Sequence, residues 1–112
     1  MKDKSLYLTL KKKPFDVMVT GEKKEEYREN SQWIKSSHFD KKGKVKTYTN
    51  VIFVNGYGEN RPMFIAEFKG VRQVLFPKKI TYSNGLEVKQ NLGDYIISLG
   101  KIILIKNHES QL

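Results

Sequence analysis

Short apolar segments separated by glycine, proline or asparagine constrain this chain more than any other feature. The first segment, Ser5–Leu10, has leucine at every second position, which is the period of a strand with one buried face. A series of short strands with glycine-rich turns predicts a small barrel or a closed sheet. The other apolar segments that predict strands are Val51–Val54, Met63–Phe68, Tyr95–Leu99 and Lys101–Ile105, with Val71–Phe76 as a possible continuation of the second of these.

Two short helices are predicted between the strands. The segment Pro14–Thr20 begins with a proline, which the first turn of a helix tolerates, and Gly21 follows at the position of a C-terminal cap. Ser31 is a good N-cap for a second short helix that contains Trp33 and Ile34. Together with the strands, these helices predict an α+β fold.

The length and composition restrict the class of protein. A chain of 112 residues predicts one domain, residues 1–112. The absence of cysteine excludes a disulfide framework, thiol catalysis and a cysteine zinc site. No apolar run approaches the roughly 20 residues of a membrane helix, and no signal peptide is recognisable. We therefore expect a cytoplasmic protein without a membrane partner; the oligomeric state cannot be predicted.

The charge is strongly unbalanced. Lysine and arginine number 21 against 12 acidic residues, which gives a formal net charge of +9. Such an excess favours a polyanionic partner, most often nucleic acid, although many small basic proteins are merely soluble. Residues 35–49 are predicted to be the least structured part of the chain, and Lys41–Lys46, which includes four lysines, is predicted to be a solvated loop or hairpin tip.

The segment Lys23–Glu29 is almost wholly charged. An exposed helix has a similar composition, but the short distance between the flanking turn residues favours a strand with one face in water and the other in a polar cleft. On such a strand Glu26 and Arg28 share one face and Lys23 lies on the other, unless the adjacent turn redirects it. From the residues alone, an exposed strand with ordinary ion pairs is the favoured explanation of the pattern.

The order of elements in Leu8–Arg28 is a strand, an apolar helix that begins near a proline and an aromatic residue, and then a Gly-x-Lys-x-x-Glu-x-Arg motif. In this chain the motif residues are Gly21, Lys23, Glu26 and Arg28. The segment resembles the start of ASCH domains, which belong to the PUA-like superfamily, and the later Gly93-Asp94-Tyr95-Ile96-Ile97 is similar to a strand entrance of that family. The resemblance implies a small, partly open, mixed and mostly antiparallel β-barrel with two short flanking helices.

PUA-like domains commonly bind RNA, and some of their relatives bind modified bases. The resemblance therefore implies a module that binds RNA or another nucleic acid or nucleotide, through a mixed-charge cleft with a basic rim. Lys23 and Arg28 would contact phosphates or base edges. Glu26 would orient both cations or accept a hydrogen bond from a base amine.

Three more residues are candidates for the same site. Trp33 is either the core anchor of its helix, which we favour, or a stacking platform for a base. Tyr57 lies between Gly56 and Gly58, which would let its ring stand at a loop tip beside a ligand, although a plain turn has the same sequence. Arg61 follows this turn as a further cation.

The resemblance also implies an alternative, because some ASCH-like proteins hydrolyse acylated cytidine and ribonuclease activity occurs in the family. Lys23 and Glu26 would then be the catalytic residues. The amidohydrolase pattern has a threonine three residues after the lysine, where this chain has Glu26, so the nucleophilic hydroxyl is missing. A protein-interaction role would need no cleft. Neither His38 nor His108 has neighbours at metal-binding spacing, so we predict no metal and no cofactor.

Overall fold

The computed structural model describes residues 4–56 and 59–107, which form a curled five-stranded sheet, a separate hairpin and two helices. The predicted α+β class, the mostly antiparallel sheet and the two helices are confirmed. In chain order the elements are β1 (Ser5–Leu10), α1 (Lys12–Val19), β2 (Glu25–Arg28), α2 (Gln32–His38), β3 (Asn50–Asn55), β4 (Met63–Gln73), β5 (Lys78–Thr81), β6 (Glu87–Gln90) and β7 (Tyr95–Lys106).

The sheet has the strand order β1-β3-β4-β7-β2, and only the β1–β3 pair is parallel. Register shifts between Ile65 and Gly70 interrupt the long β4–β7 pairing. Such irregularities bend a strand and increase its twist, and the sheet curls into a half-barrel. No backbone ladder joins the edge strands β1 and β2 in the described residues, so the sheet is an open half-barrel and not a closed barrel.

The core lies inside the curl of the sheet, beneath α1. Leu6, Leu8 and Leu10 of β1 are all buried, as their spacing predicts. Phe15 of α1 packs edge-to-face on Phe64 of β4, with ring centroids 5.3 Å apart. Burial of one such side chain contributes about 1.5–3 kcal/mol, so these contacts hold the helix against the sheet.

The boundaries of α1 differ from the prediction. The helix begins at Lys12, two residues before Pro14, and ends at Val19. Pro14 still lies in the first turn, where backbone N–H groups have no partner within the helix. Gly21 has φ +87°, a conformation that favours glycine, and it turns the chain out of the helix as predicted.

The second helix is longer than predicted. The Ser31 side chain caps it by accepting from the Ile34 backbone N–H at 3.2 Å, as expected. The helix then continues to His38, so residues 35–38 are helical and not part of a loop. Beyond it, Asp40 Oδ1 accepts from the backbone N–H groups of Lys42 and Lys44, each at 2.9 Å, and orders the lysine-rich turn.

Two strands also run further than predicted. β4 continues past Gly70 to Gln73, and β7 continues through Gly100 to Lys106 as one strand. Continuous pairing between them satisfies the backbone groups that a break would leave free. In the described part of the chain, no helix is long and apolar enough to cross a membrane.

Candidate functional site

A cleft of about 640 Å³ lies where the half-barrel does not close. The edge strands β1 and β2 form two of its sides, β6 of the hairpin forms a third, and α2 contributes the Trp33 ring. Three of the four motif residues, Lys23, Glu26 and Arg28, line this cleft. The structure therefore brings together the residues that the motif singled out.

The charged side chains of the motif form a cluster around the Glu26 carboxylate, which we call the cleft cluster. Glu26 Oε2 accepts from Arg28 Nε at 2.9 Å and from Arg28 Nη2 at 2.7 Å. Lys23 Nζ lies 3.6 Å from Glu26 Oε1. Lys23 and Glu26 are only 3% and 5% exposed, so water screens this pair weakly.

Lys23 joins the cluster because it precedes the strand. β2 begins at Glu25, so Lys23 belongs to the turn after Gly21 and the alternation of a strand does not apply to it. The Lys23 backbone N–H donates to the Val17 carbonyl at 3.0 Å, which fixes the turn against α1. The turn thus redirects the lysine onto the side of Glu26.

The two cations also cap carbonyls at the open edges of the sheet. Lys23 Nζ donates to the Glu25 carbonyl on β2, and Arg28 Nη2 donates to the Thr9 carbonyl on β1 at 3.2 Å. Unpaired edge carbonyls invite pairing with other chains, and side-chain donors reduce that hazard. Arg28 is thus a bridge between the two edge strands.

Burial shifts the pKa values of two groups in this region. It lowers the pKa of Lys23, and the attraction of the Glu26 carboxylate opposes that shift. The Lys23 ammonium also lies 5.9 Å from the ring centroid of Tyr82. Burial raises the pKa of Tyr82, and the negative charges of Glu25 and Glu22 add to that rise.

Trp33 is a wall of the cleft and not the core anchor of its helix. Its side chain is 49% exposed, and its ring centroid lies 5.9 Å from the Arg28 guanidinium carbon, within cation–π range. Ile34, the next residue, is buried and anchors α2. The favoured prediction, that Trp33 is the core anchor of its helix, is therefore wrong, and its ring lies at the cleft.

Asp94 connects the elements that carry these side chains. Its carboxylate accepts from the Tyr27 hydroxyl and, at 2.9 Å, from the backbone N–H of Asn30, just before α2. The start of β7 is thereby tied to β2 and to the start of α2. These bonds place Trp33 beside the cleft cluster.

The remaining predicted residues lie elsewhere. Gly21 lines a different cavity of about 470 Å³, and Arg61 lines a third on the other face of the sheet. Tyr57 and His108 lie outside the described residues. Within residues 4–56 and 59–107, no group of three acidic, histidine or cysteine side chains is placed to hold a metal ion.

Sequence reasoning missed the β5–β6 hairpin, which covers one side of the cleft. Its tip is held by bonds from Ser83 to the Glu22 carboxylate and from Asn84 Nδ2 to the Lys13 carbonyl, the second at 2.9 Å. A signal was present, because Asn84-Gly85 is a strong hairpin turn when alternating apolar residues flank it. Here the flanking residues are Ile80, Tyr82, Leu86 and Val88.

Comparison of the chain with models of protein families, with curated proteins and with solved structures found no match. The ASCH resemblance consequently rests on the motif and the order of elements, and membership of that family stays a prediction. The chemistry of the cleft has to support any assignment of function.

Proposed function

We propose that this chain is a nucleic-acid-binding module of the ASCH, PUA-like type that takes one unpaired nucleotide into the cleft. The observation that carries the proposal is that the exposed Trp33 ring and the buried Glu26 carboxylate line the same cavity. A base can stack on the indole, at roughly 1–3 kcal/mol, while its polar edge faces the carboxylate. We also propose that the protein is cytoplasmic, as the sequence predicts.

Glu26 retains capacity for a further hydrogen bond. Oε2 already accepts two bonds from Arg28, whereas the Lys23 Nζ at 3.6 Å from Oε1 is beyond good hydrogen-bond distance. Carboxylates accept from exocyclic amines such as that of cytosine. We therefore expect bases with an exocyclic amine to bind more tightly than uracil, which has none.

Phosphates would lie at the mouth of the cleft and not at its floor, where the carboxylate repels them. Lys11 and Lys89 are exposed and line the mouth from opposite sides. Lysines in this position neutralise phosphates, and the release of counterions makes such binding weaken as salt increases. Glu29 and Glu87 are also exposed and line the cleft, so Lys11 and Lys89 offer local contacts for a phosphate and not a uniformly cationic mouth.

Hydrolysis of RNA or of acylated cytidine gains less support from the geometry. Lys23 Nζ faces the Glu25 carbonyl, Glu26 and, at 3.8 Å, the Met18 sulfur. An ammonium with three neighbours of this kind is held in place, whereas a nucleophilic or basic lysine needs a free amine that can reach the substrate. The contacts of Lys23 are those of a structural cation.

Trp33 is the only tryptophan, so its fluorescence reports on the cleft directly. We expect single-stranded oligocytidylate to quench Trp33 emission at low ionic strength and oligouridylate to quench it less at equal concentration. Trp33→Ala should lower the affinity at least about fivefold, measured by the anisotropy of a labelled cytidine trinucleotide, because a stacking platform is lost.

Phe76→Ala is the matched control, because Phe76 is an 83% exposed aromatic residue that does not line the cleft. It should leave the affinity unchanged. Absence of binding at low salt would contradict the proposal, and so would binding that leaves Trp33 emission unchanged. Equal losses in the two variants would place the contact outside the cleft.

A further inference from the structure

A second groove lies on the outer face of the sheet, opposite the core. It is a cavity of about 460 Å³. Its floor consists of strand residues that alternate with buried ones, namely Tyr7 on β1, Ile52 and Val54 on β3, and Met63 on β4. Neither helix covers these side chains in the structure, since the helices pack on the other face. We call this cavity the outer groove.

The outer groove combines an aromatic ring, an apolar floor and two cations. Tyr7 is 69% exposed, so one ring face is available for stacking. Arg61 and Lys106 line the groove, and no acidic side chain does. Arg61 Nη1 donates to the Gly56 carbonyl at 3.2 Å, which holds the guanidinium at this place. The charge and the ring together suit an anionic ligand with flat, weakly polar groups.

The outer groove and the cleft meet at β1. Thr9 lines both cavities, and Tyr7 is two residues away on the same strand, about 6.6 Å along it. A chain that leaves the mouth of the cleft can therefore cross the edge strand β1 and enter the groove without passing over the core. This continuity is the reason to consider one ligand for both cavities.

We propose that a single strand of nucleic acid whose unpaired nucleotide occupies the cleft continues across β1 into the outer groove. A neighbouring base stacks on Tyr7, and the backbone phosphates contact Arg61 and Lys106. This inference rests on the proposed function of the cleft. It adds a second contact surface and requires a ligand that is long enough to reach both cavities. A single strand is required, because a duplex keeps its bases stacked on each other and unavailable to Tyr7.

A second copy of the chain is the main competing occupant of the outer groove, because exposed apolar sheet faces are common protein interfaces. The groove contains Arg61 and Lys106 but no acidic side chain. In a symmetric contact between two copies these like charges would approach each other, which disfavours a dimer through this groove. Charge complementarity therefore favours the polyanion.

The test compares labelled cytidine 5′-monophosphate, which has no neighbouring base, with a labelled oligocytidylate of eight nucleotides. The octanucleotide should bind the wild-type protein at least about tenfold more tightly than the mononucleotide. Tyr7→Ala should reduce octanucleotide affinity at least about fivefold, the loss of one stacked base, and leave mononucleotide affinity unchanged. The double variant Arg61→Gln, Lys106→Gln should also weaken the octanucleotide and lower its salt dependence by about 1.4 in log–log slope.

The matched controls are Phe76→Ala for the aromatic residue and Lys69→Gln with Lys78→Gln for the charges, since none of these residues lines the outer groove. An octanucleotide has more binding registers than a mononucleotide, but that statistical advantage does not depend on Tyr7. An octanucleotide affinity that Tyr7→Ala leaves unchanged would therefore overturn the inference, as would a dimer in sedimentation velocity that Tyr7→Ala dissociates. Failure of both ligands to bind would instead refute the proposed function of the cleft.

Discussion

The cleft cluster and the lysine-rich turn, Lys41–Lys46, both carry positive charge but differ in what that charge contacts. In the cluster, the Lys23 ammonium and the Arg28 guanidinium meet a buried carboxylate and cap edge carbonyls. In the turn, the side chains of Lys41, Lys42 and Lys44 are exposed. Buried charges are strongly coupled to the fold, whereas exposed ones act mainly through their long-range field. Stability measurements should therefore separate the two regions.

The largest expected effect is that of Glu26→Gln. This change leaves the Lys23 and Arg28 charges without their carboxylate in a largely buried site, and breaking a buried pair in this way costs about 3–5 kcal/mol. Because Lys23 and Arg28 also cap the edge strands, the loss should fall on the global unfolding transition. Urea denaturation followed by far-ultraviolet circular dichroism measures it.

Glu29→Gln provides the control for Glu26→Gln. It makes the same charge change three residues away at an exposed position. Exposed substitutions of this kind usually alter the free energy of unfolding by less than about 0.5 kcal/mol. Similar losses in the two variants would show that the Glu26 pairing contributes no more than a surface ion pair, and the contrast between the two regions would then fail.

The sequence predicted the buried face of β1 and the cap of α2 correctly because both depend on local periodicity and spacing. Leu6, Leu8 and Leu10 are buried as their alternation requires, and the Ser31 cap forms as expected. These features depend on a few consecutive residues. They needed no knowledge of which strands become neighbours.

The parts that were predicted wrongly or missed depend on contacts distant in sequence. Trp33 and Ile34 are adjacent apolar residues, and only the packing of α2 decides that Ile34 is buried and Trp33 faces the cleft. The register shifts between β4 and β7 adjoin Gly70, which has φ +118°, and a glycine inside a strand pattern indicates a bulge as readily as the end of a strand. The hairpin tip contacts Glu22, which is 61 residues away from Ser83 along the chain.

An intermediate effect on the free energy of unfolding is expected from His38. This buried ionisable group differs from Lys23 and Arg28 of the cleft cluster because no carboxylate is paired with it in the described residues. Its ring is fully buried and stacks on Phe68 with centroids 6.0 Å apart. Neither ring nitrogen has a hydrogen-bond partner within the described residues. Burial lowers the pKa of His38, and the positive charge of Lys46 adds to that shift.

The sign of the pH effect follows from this lowered pKa. Below pH 6.5 His38 is protonated in the unfolded chain but stays neutral in the folded protein. The free energy of unfolding is therefore highest above pH 6.5 and falls as the pH is lowered towards the folded-state pKa of His38. One such group contributes a slope of at most about 1.4 kcal/mol per pH unit. Urea denaturation at a series of pH values between 7.5 and 5 measures the slope.

The two histidines of the chain allow a paired control. His38→Phe keeps a ring in the core and should remove the slope below pH 6.5, whereas His108→Gln should retain it. If the slope persists in His38→Phe, groups other than His38 cause it, and protonation of the His38 imidazole does not destabilise the folded protein.

The smallest effect on stability is expected from the triple variant Lys41→Gln, Lys42→Gln, Lys44→Gln. The backbone N–H groups of Lys42 and Lys44 keep their bonds to Asp40 after the change, so the turn should persist and the free energy of unfolding should move by less than about 0.5 kcal/mol. Octanucleotide affinity should nevertheless fall at low salt and converge on the wild-type value as salt increases, because these charges act through a screened field and not through the cleft.

A matched change of three exposed lysines on other elements, Lys69→Gln, Lys79→Gln, Lys101→Gln, alters the net charge equally. Equal losses of affinity in the two triple variants would mean that only net charge matters and that the position of the lysine-rich turn does not.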